Sequence, residues 1–160
     1  DGVVIGLLNA DGTVDVKRSA ELVELAHPLG VTFHRAFDRT KDAFEALETL
    51  IDIGCERVLT SGLTPNVTEG TEMLTQLINA ADNRIVIMPG SGVRSNNIQE
   101  LAQKTGAVEF HTSARTVIST KMNYINPLMK EEMKSVMADE EEIRKTLLAL
   151  ETYNSYEPPF

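Results

Sequence analysis

The sequence predicts an α/β fold, read here as the C-terminal five βα units of a TIM (β/α)8 barrel, incomplete at the N-terminus. Three observations carry this reading. Short apolar runs alternate with amphipathic helical patterns at a spacing of roughly 25 residues, giving five strands and four crossover helices. The stretch Arg84–Val93, RIVIMPGSGV, joins an apolar strand directly to a glycine turn and a helix start, which is half of a βαβ unit. The third is length: an eight-unit barrel takes about 250 residues, of which five-eighths is about 156, and the chain has 160. An open doubly wound sheet is the alternative architecture. Barrels commonly hold phosphate on the loops after strands seven and eight. Taking the last two predicted strands as those two places three further units upstream of Asp1.

Each element has a local cause. Val3-Val4-Ile5-Gly6-Leu7-Leu8 is a continuous apolar run, expected for a strand covered on both faces. Asn9–Gly12 turns the chain, and Asp15 is placed to cap a helix reaching Ala26, with Val16, Ala20 and Val23 inward. Val31–His34 is the second strand. Ala43, Ala46, Leu47, Leu50 and Ile51 fall on one helical face, and Gly54 ends that helix. Arg57–Thr60 is the third strand. Pro65, Asn66 and Glu69 open a helix with Met73, Leu74, Leu77, Ile78 and Ala81 on its buried stripe. After the strand in Arg84–Val93, Ile98, Leu101 and Ala102 mark a short helix ended by Gly106, and Val108–His111 is the fifth strand. Residues 115–138 read as irregular and methionine-rich. Asp139 and Glu142 resemble a capping pair for a last helix with Ile143, Leu147 and Leu150 on one side, and the Pro158-Pro159 tail reads as extended. No low-complexity linker divides the chain, so residues 1–160 are expected to form one domain.

Composition narrows the function classes. Apolar residues make up 42% of the chain, enough for a core, and the formal net charge is −9 with a pI near 4.8. Such a surface repels phosphate backbones, which argues against nucleic-acid binding. No apolar run approaches a membrane span, and none resembles a signal peptide. The single cysteine, Cys55, excludes an intrachain disulfide and fits a reducing compartment.

Barrel active sites lie at the carboxyl ends of the strands. Those ends carry Gly6; His34, Arg35 and Asp38; Thr60, Ser61 and Gly62; Pro89, Gly90, Ser91 and Gly92; and His111, Thr112, Ser113 and Ala114. The glycine turn and the following helix start offer main-chain amides to an anion. Gly90, Ser91 and Gly92, with Ser113, Ala114 and Arg35, are therefore the candidate anion site, and His34, Arg35, Asp38 and His111 are the candidates for proton transfer. Each has a structural alternative: histidines bound to backbone at the core rim, an Arg35–Asp38 loop ion pair, and serines and glycines serving turn geometry alone. No nucleophile–base pair, Schiff-base lysine or metal-ligand spacing stands out.

Soft ligands form a separate question. Met129, Met133 and Met137 recur at helical spacing with Met122 upstream, and thioethers suit Cu(I). Methionines so spaced more often fill an apolar interface. Cys55 lies between a helix and a strand start, at the end opposite the candidate site, and reads as a small buried hydrophobe.

The runs DGVVIGLL with Asp11-Gly12 and Asp15, VTFHRAFD, RVLTSG, IMPGSGV and EFHTSA resemble, in order from Asp1 to about Ala114, the CutC family of copper-homeostasis proteins. Residues 115–160 then form a C-terminal extension. The resemblance implies a cytoplasmic barrel, a homo-oligomer when complete, a link to copper tolerance and copper as a bound ion. It also implies that the chain starts at the fourth strand. The cysteines proposed as copper ligands in the family lie largely upstream of that point, so none carries over, and Ser91 replaces a glycine common in the family. Two functional expectations stand side by side: copper homeostasis, or a TIM-barrel enzyme or binder of a small phosphorylated or carboxylated metabolite at the strand ends.

Overall fold

The computed structural model describes residues 1–129 and 134–154. Its centre is a parallel sheet of four strands, β1 (Gly2–Ile5), β2 (Gly30–Phe33), β3 (Arg57–Thr60) and β4 (Val86–Pro89), ordered as in the sequence. Between them run α1 (Val16–Ala26), α2 (Ala43–Asp52) and α3 (Thr71–Ala81), and α4 (Ile98–Thr105) follows β4. A five-residue 3₁₀ segment, Arg35–Arg39, links β2 to α2.

Right-handed crossovers between neighbouring parallel strands put successive helices on one face of the sheet. The burial pattern agrees. Val31, Phe33, Val58, Thr60 and Ile87 are at most 3% exposed, whereas their strand neighbours Thr32, Arg57, Leu59, Val86 and Met88 are half-buried. Leu47, Leu50, Leu74 and Leu77 are fully buried and supply the helical half of this core. The order never reverses, so the four strands contain no doubly wound switch point.

The caps follow the expected chemistry at α1 and α2. Asp15 accepts the Arg18 amide, and Gly54, at φ 87°, completes the end of α2. The helix expected from Pro65 starts later, at Thr71, because the Asn66 carboxamide oxygen takes the Thr68 and Glu69 amides and holds a separate turn there. Val16 is not inward but 51% exposed; Ser19, Ala20 and Val23 carry the inner face of α1.

Three expectations are corrected. The first strand stops at Ile5 and is not covered on both faces: Val4 is 63% exposed on the open side of the sheet, and among the described residues no strand pairs with the free edge of β1. The expected fifth strand, Val108–His111, contributes one parallel bridge, Gly90 to His111, with the His111 amide on the Pro89 carbonyl at 2.9 Å. Gly106 and Ala107 lead into it without a ladder, and Val108 is 82% exposed. Residues 115–138 are not irregular throughout, since β5 (Arg115–Ser119) and β6 (Lys134–Ala138) form an antiparallel hairpin. The β-branched run Thr116-Val117-Ile118 is the local signal for it.

The last helix, α5 (Glu140–Asn154), is capped as expected, the Asp139 carboxylate accepting the Glu141 and Glu142 amides at 3.0 and 3.2 Å. Glu142 does not close a capping box. Its carboxylate reaches instead to the turn before α4, accepting the Ser95 amide at 2.8 Å and the Ser95 hydroxyl at 3.0 Å. The Ser95 amide, more than any other group, holds the Glu142 carboxyl below its ordinary range. A carboxylate with a depressed folded pKa stabilises the fold above its unfolded value, and that contribution is lost as pH falls through the lower folded value. The contact of α5 with the α4 start should therefore be intact above the ordinary glutamate value of 4.5 and loosen below it. Protection of the Ser95 amide from hydrogen exchange should fall on acidification in the wild type, whereas in Glu142→Gln it should vary far less with pH.

Candidate functional site

The polar residues expected at the strand carboxyl ends do gather at that end of the sheet, and one carboxylate organises them. Asp38 lies on the 3₁₀ segment after β2, its side chain 7% exposed. Its Oδ1 accepts the Thr60 hydroxyl at 2.5 Å, the Ser61 amide at 3.1 Å and the Leu63 amide at 3.2 Å. Its Oδ2 accepts the Arg35 Nε at 2.7 Å and faces the Ser61 hydroxyl at 3.0 Å. The segment after β2 is thus tied to the loop after β3. These donors saturate the carboxylate, so Asp38 serves as the anchor of the loop, the structural alternative weighed for its pair with Arg35.

Arg35 bridges outward from that anchor. Its Nη2 donates to the Ser61 hydroxyl at 2.7 Å and to the Thr64 carbonyl at 3.2 Å, and its side chain stays 39% exposed. Ser61 has a single hydroxyl proton, shared between Asp38 Oδ2 and the Thr64 carbonyl at 2.5 Å. Gly62 donates its amide to the Thr60 hydroxyl at 3.0 Å. Thr60, Ser61 and Gly62 are therefore committed to loop structure around Asp38.

His34 stands at the exposed end of β2. Its Nδ1 accepts the Ala36 amide at 3.0 Å, which caps the 3₁₀ segment and leaves the proton of the neutral ring on Nε2. The ring is thus bound to backbone, the structural alternative for this histidine, through an amide. Gly6 makes room for this ring, because a Cβ there would collide with all the ring atoms nearest it. His111, also exposed, is held by its backbone bridge to Gly90.

The glycine turn sits on the far side of the loop after β3 from Arg35. Ser91 adopts φ 80° and Gly92 φ 87°, a region costly for any residue with a Cβ. The Ser91 hydroxyl donates to the Pro65 carbonyl at 2.8 Å, and its own carbonyl accepts the Val67 amide at 2.9 Å. Asn97 Nδ2 holds the Gly92 carbonyl at 2.8 Å. Ala114 is buried, its amide on the Thr112 hydroxyl at 3.1 Å and its carbonyl accepting the Asp139 amide at 2.7 Å. Ser113 is exposed beside it.

Sequence reasoning missed one member of this region. Glu142 brings a carboxylate to the amide next to the glycine turn from 47 residues away, and no local pattern marks it. Away from the site, at the amino end of β3, Glu109 makes a bidentate pair with Arg57, at 2.6 and 3.1 Å. Alternation within Val108–Phe110 hinted only that Glu109 faces opposite to its neighbours.

The soft-metal candidates do not meet. Cys55 is 4% exposed, and burial pushes its thiol up to about 11, so a thiolate is disfavoured. The helical methionine stripe is corrected: Met137 lies on β6, and Met122, Met129 and Met137 are 60%, 57% and 51% exposed and fill no apolar interface within the chain. Met133 lies outside the described residues. Among the described residues no group of three or more His, Cys, Asp or Glu is placed to hold a metal ion, and no helix is long and apolar enough to cross a membrane.

The class defined by these features is an α/β protein with a singly wound parallel sheet and a polar surface at the strand carboxyl ends. The CutC family model matches residues 1–116, and the chain belongs to the CutC family. It is 46% identical over 150 residues to a CutC family protein of Parabacteroides distasonis, covering 89% of this chain and 62% of that one. It is 48% identical over 126 residues to a mouse protein named copper homeostasis protein cutC homolog, covering 79% of this chain and 46% of that one. The crystal structure of CutC from Streptococcus agalactiae superimposes with a TM-score of 0.64 at 30% identity, over 68% of this chain and 53% of that one. The chain thus spans about half to three-fifths of the length of these relatives.

Removing the Asp38 anchor should cost stability, because five donors lose a charged acceptor. Asp38→Ala should lower the unfolding free energy by about 3 kcal/mol. Arg39→Ala, at an exposed neighbour, should stay within about 0.5 kcal/mol. Urea unfolding of both variants against the wild type checks this.

Proposed function

We propose that this chain serves copper homeostasis as part of a CutC-family (β/α)8 barrel that assembles as a cytoplasmic homo-oligomer. The observation that carries the reading is the family match over residues 1–116, which includes every polar strand end and the sheet that positions them. The barrel is supported by four parallel strands in unbroken order with one face buried and the other open. Exposed apolar surface at both flanks supports it too: Val4 and Leu25 at one, Leu147 and Leu148 at the other. Further βα units closing the sheet would cover such surface.

In this reading Cu(I) does not bind through Cys55 or the methionines. A stable Cu(I) site gathers several soft donors, whereas Cys55 is buried at the helix-to-strand side, Met73 and Met88 are half-buried on α3 and β4, and Met122, Met129 and Met137 stand exposed beyond them. Cys55→Ser should therefore leave copper affinity unchanged, as should Met129, Met133 and Met137 changed together to Leu. Competition titration with a Cu(I) chelator tests both; a large loss of affinity in either variant would place the metal in this part of the chain.

A second reading is favoured by the partly exposed Arg35 guanidinium beside the His34 Nε2–H edge of the sheet. Here the strand ends bind a small phosphorylated or carboxylated metabolite, with Ser91, Gly92 and Ser113 supplying amides, the Gly90 amide being held by the Thr60 carbonyl at 2.9 Å, and Arg35 the charge at the rim. His34 and His111 are the groups able to move a proton, since Asp38 is saturated. Phosphate titration should give at least about tenfold weaker binding in Gly92→Val than in the wild type, because a branched side chain obstructs the approach to the backbone. Equal affinity in a folded variant would leave the turn a structural feature only.

A further inference from the structure

The His34 ring is held by Phe33, Gly6 and Ala36, and the hold dictates what it can do. It lies 6.1 Å from the ring of the fully buried Phe33, centroid to centroid, at a tilt of 47°. It rests against Gly6, where a Cβ would overlap Cε1, Nδ1 and Nε2. The hold from Ala36 is chemical, its amide donating to Nδ1 at 3.0 Å. A backbone amide can only donate, so the Nδ1 lone pair is engaged and the neutral ring has its one proton on Nε2. No lone pair is then free to take a proton from a ligand. A second proton could enter only at Nδ1, at the expense of the bond that caps the 3₁₀ segment bearing Arg35 and Asp38.

Arg35, next along the chain, is in the same position. A guanidinium has five N–H groups and no acceptor. Here Nε donates to Asp38 at 2.7 Å, and Nη2 to the Ser61 hydroxyl at 2.7 Å and the Thr64 carbonyl at 3.2 Å. Nη1 has no hydrogen-bond partner among the described residues, and the side chain is part exposed. The Asp38 oxygens are filled from within the chain. His34 and Arg35 therefore offer a ligand donors and no acceptor.

We propose that His34 is a ligand-contacting hydrogen-bond donor, giving Nε2–H, beside Arg35 Nη1, to an oxygen that only accepts: a carboxylate or phosphate oxygen of the ligand. This role deepens the reading of the strand ends as an anion site and rests on it. A neutral imidazole held in this way steadies negative charge on oxygen without itself gaining a proton. Of the two histidines able to move a proton in that reading, His111 is then the one that accepts. Its ring is exposed and has no hydrogen-bond partner among the described residues.

Asparagine separates the two tasks of His34. Its side-chain oxygen can take the Ala36 amide as a cap does, but it has nothing at the position of Nε2. His34→Asn should keep the wild-type melting temperature and bind inorganic phosphate about tenfold more weakly or worse. In the wild type at neutral pH, two-bond nitrogen–proton correlations of the His34 ring should show the Nε2–H tautomer, and the Nε2 resonance should move on adding phosphate. Unchanged phosphate affinity in folded His34→Asn, or a neutral ring protonated on Nδ1, overturns the proposal. If Gly92→Val weakens binding in the same titration, the strand-end reading stands without it. Should His34→Asn not fold, the wild-type spectrum decides, and a His34 Nε2 resonance that bound phosphate leaves unmoved overturns the donor role. A wild type that binds no phosphate up to about 10 mM overturns both.

Discussion

The carboxylate of Asp38 is the interaction on which the functional end of this molecule depends. A sheet of parallel strands positions its loops only as well as the loops are held, because the ladder ends where they begin. Asp38 solves this for two neighbouring strands at once. It accepts the Arg35 Nε from its own segment and the Thr60 hydroxyl and the Ser61 and Leu63 amides from the next. Hydrogen bonds to an ionised acceptor are about twice as strong as neutral ones, and this one is largely shielded from water. Arg35, Ser61 and Thr64 inherit their positions from it. The compact motif HRAFD is thus a device for joining strand ends as much as a set of reactive groups.

A second carboxylate plays the corresponding part for the chain beyond Ala114. Glu142 occupies the Ser95 amide and hydroxyl at the approach to α4, a place where helix geometry favours negative charge. The protein supplies an anion of its own there, next to the glycine turn. Together with Asp139 on Ala114, it fastens α5 and the root of the hairpin to the body, which fixes the direction in which the hairpin leaves it.

Much of the fold was legible because its causes are local. Apolar runs of four to six residues, helical stripes such as Ala43–Ile51, and caps at Asp15, Gly54 and Asp139 all act within one or two turns of chain. The errors fall where the cause is distant. Val108–His111 has the composition of a strand, yet β pairing is shared between two segments, and only His111 meets Gly90 in register. Met129, Met133 and Met137 match a helical period, but Met137 belongs to a ladder whose other half starts 22 residues earlier, at Arg115. Among the site residues, the polar strand ends were visible from parallel α/β topology alone. Which of them anchor and which stay accessible was not.

The sequence by itself determined the α/β class, the order of the first four strands and their helices, the acidic charge and the family, because these reside in periodicity, turn chemistry and motif. Tertiary structure alone decided that Asp38 is saturated and Arg35 part exposed, that His34 Nδ1 meets the Ala36 amide, that Cys55 is suppressed as a thiolate by burial, and that Glu142 meets Ser95. Each of these depends on which groups distant in the chain come within hydrogen-bond range and on how much water remains beside them. Neither quantity is a property of any short stretch of residues.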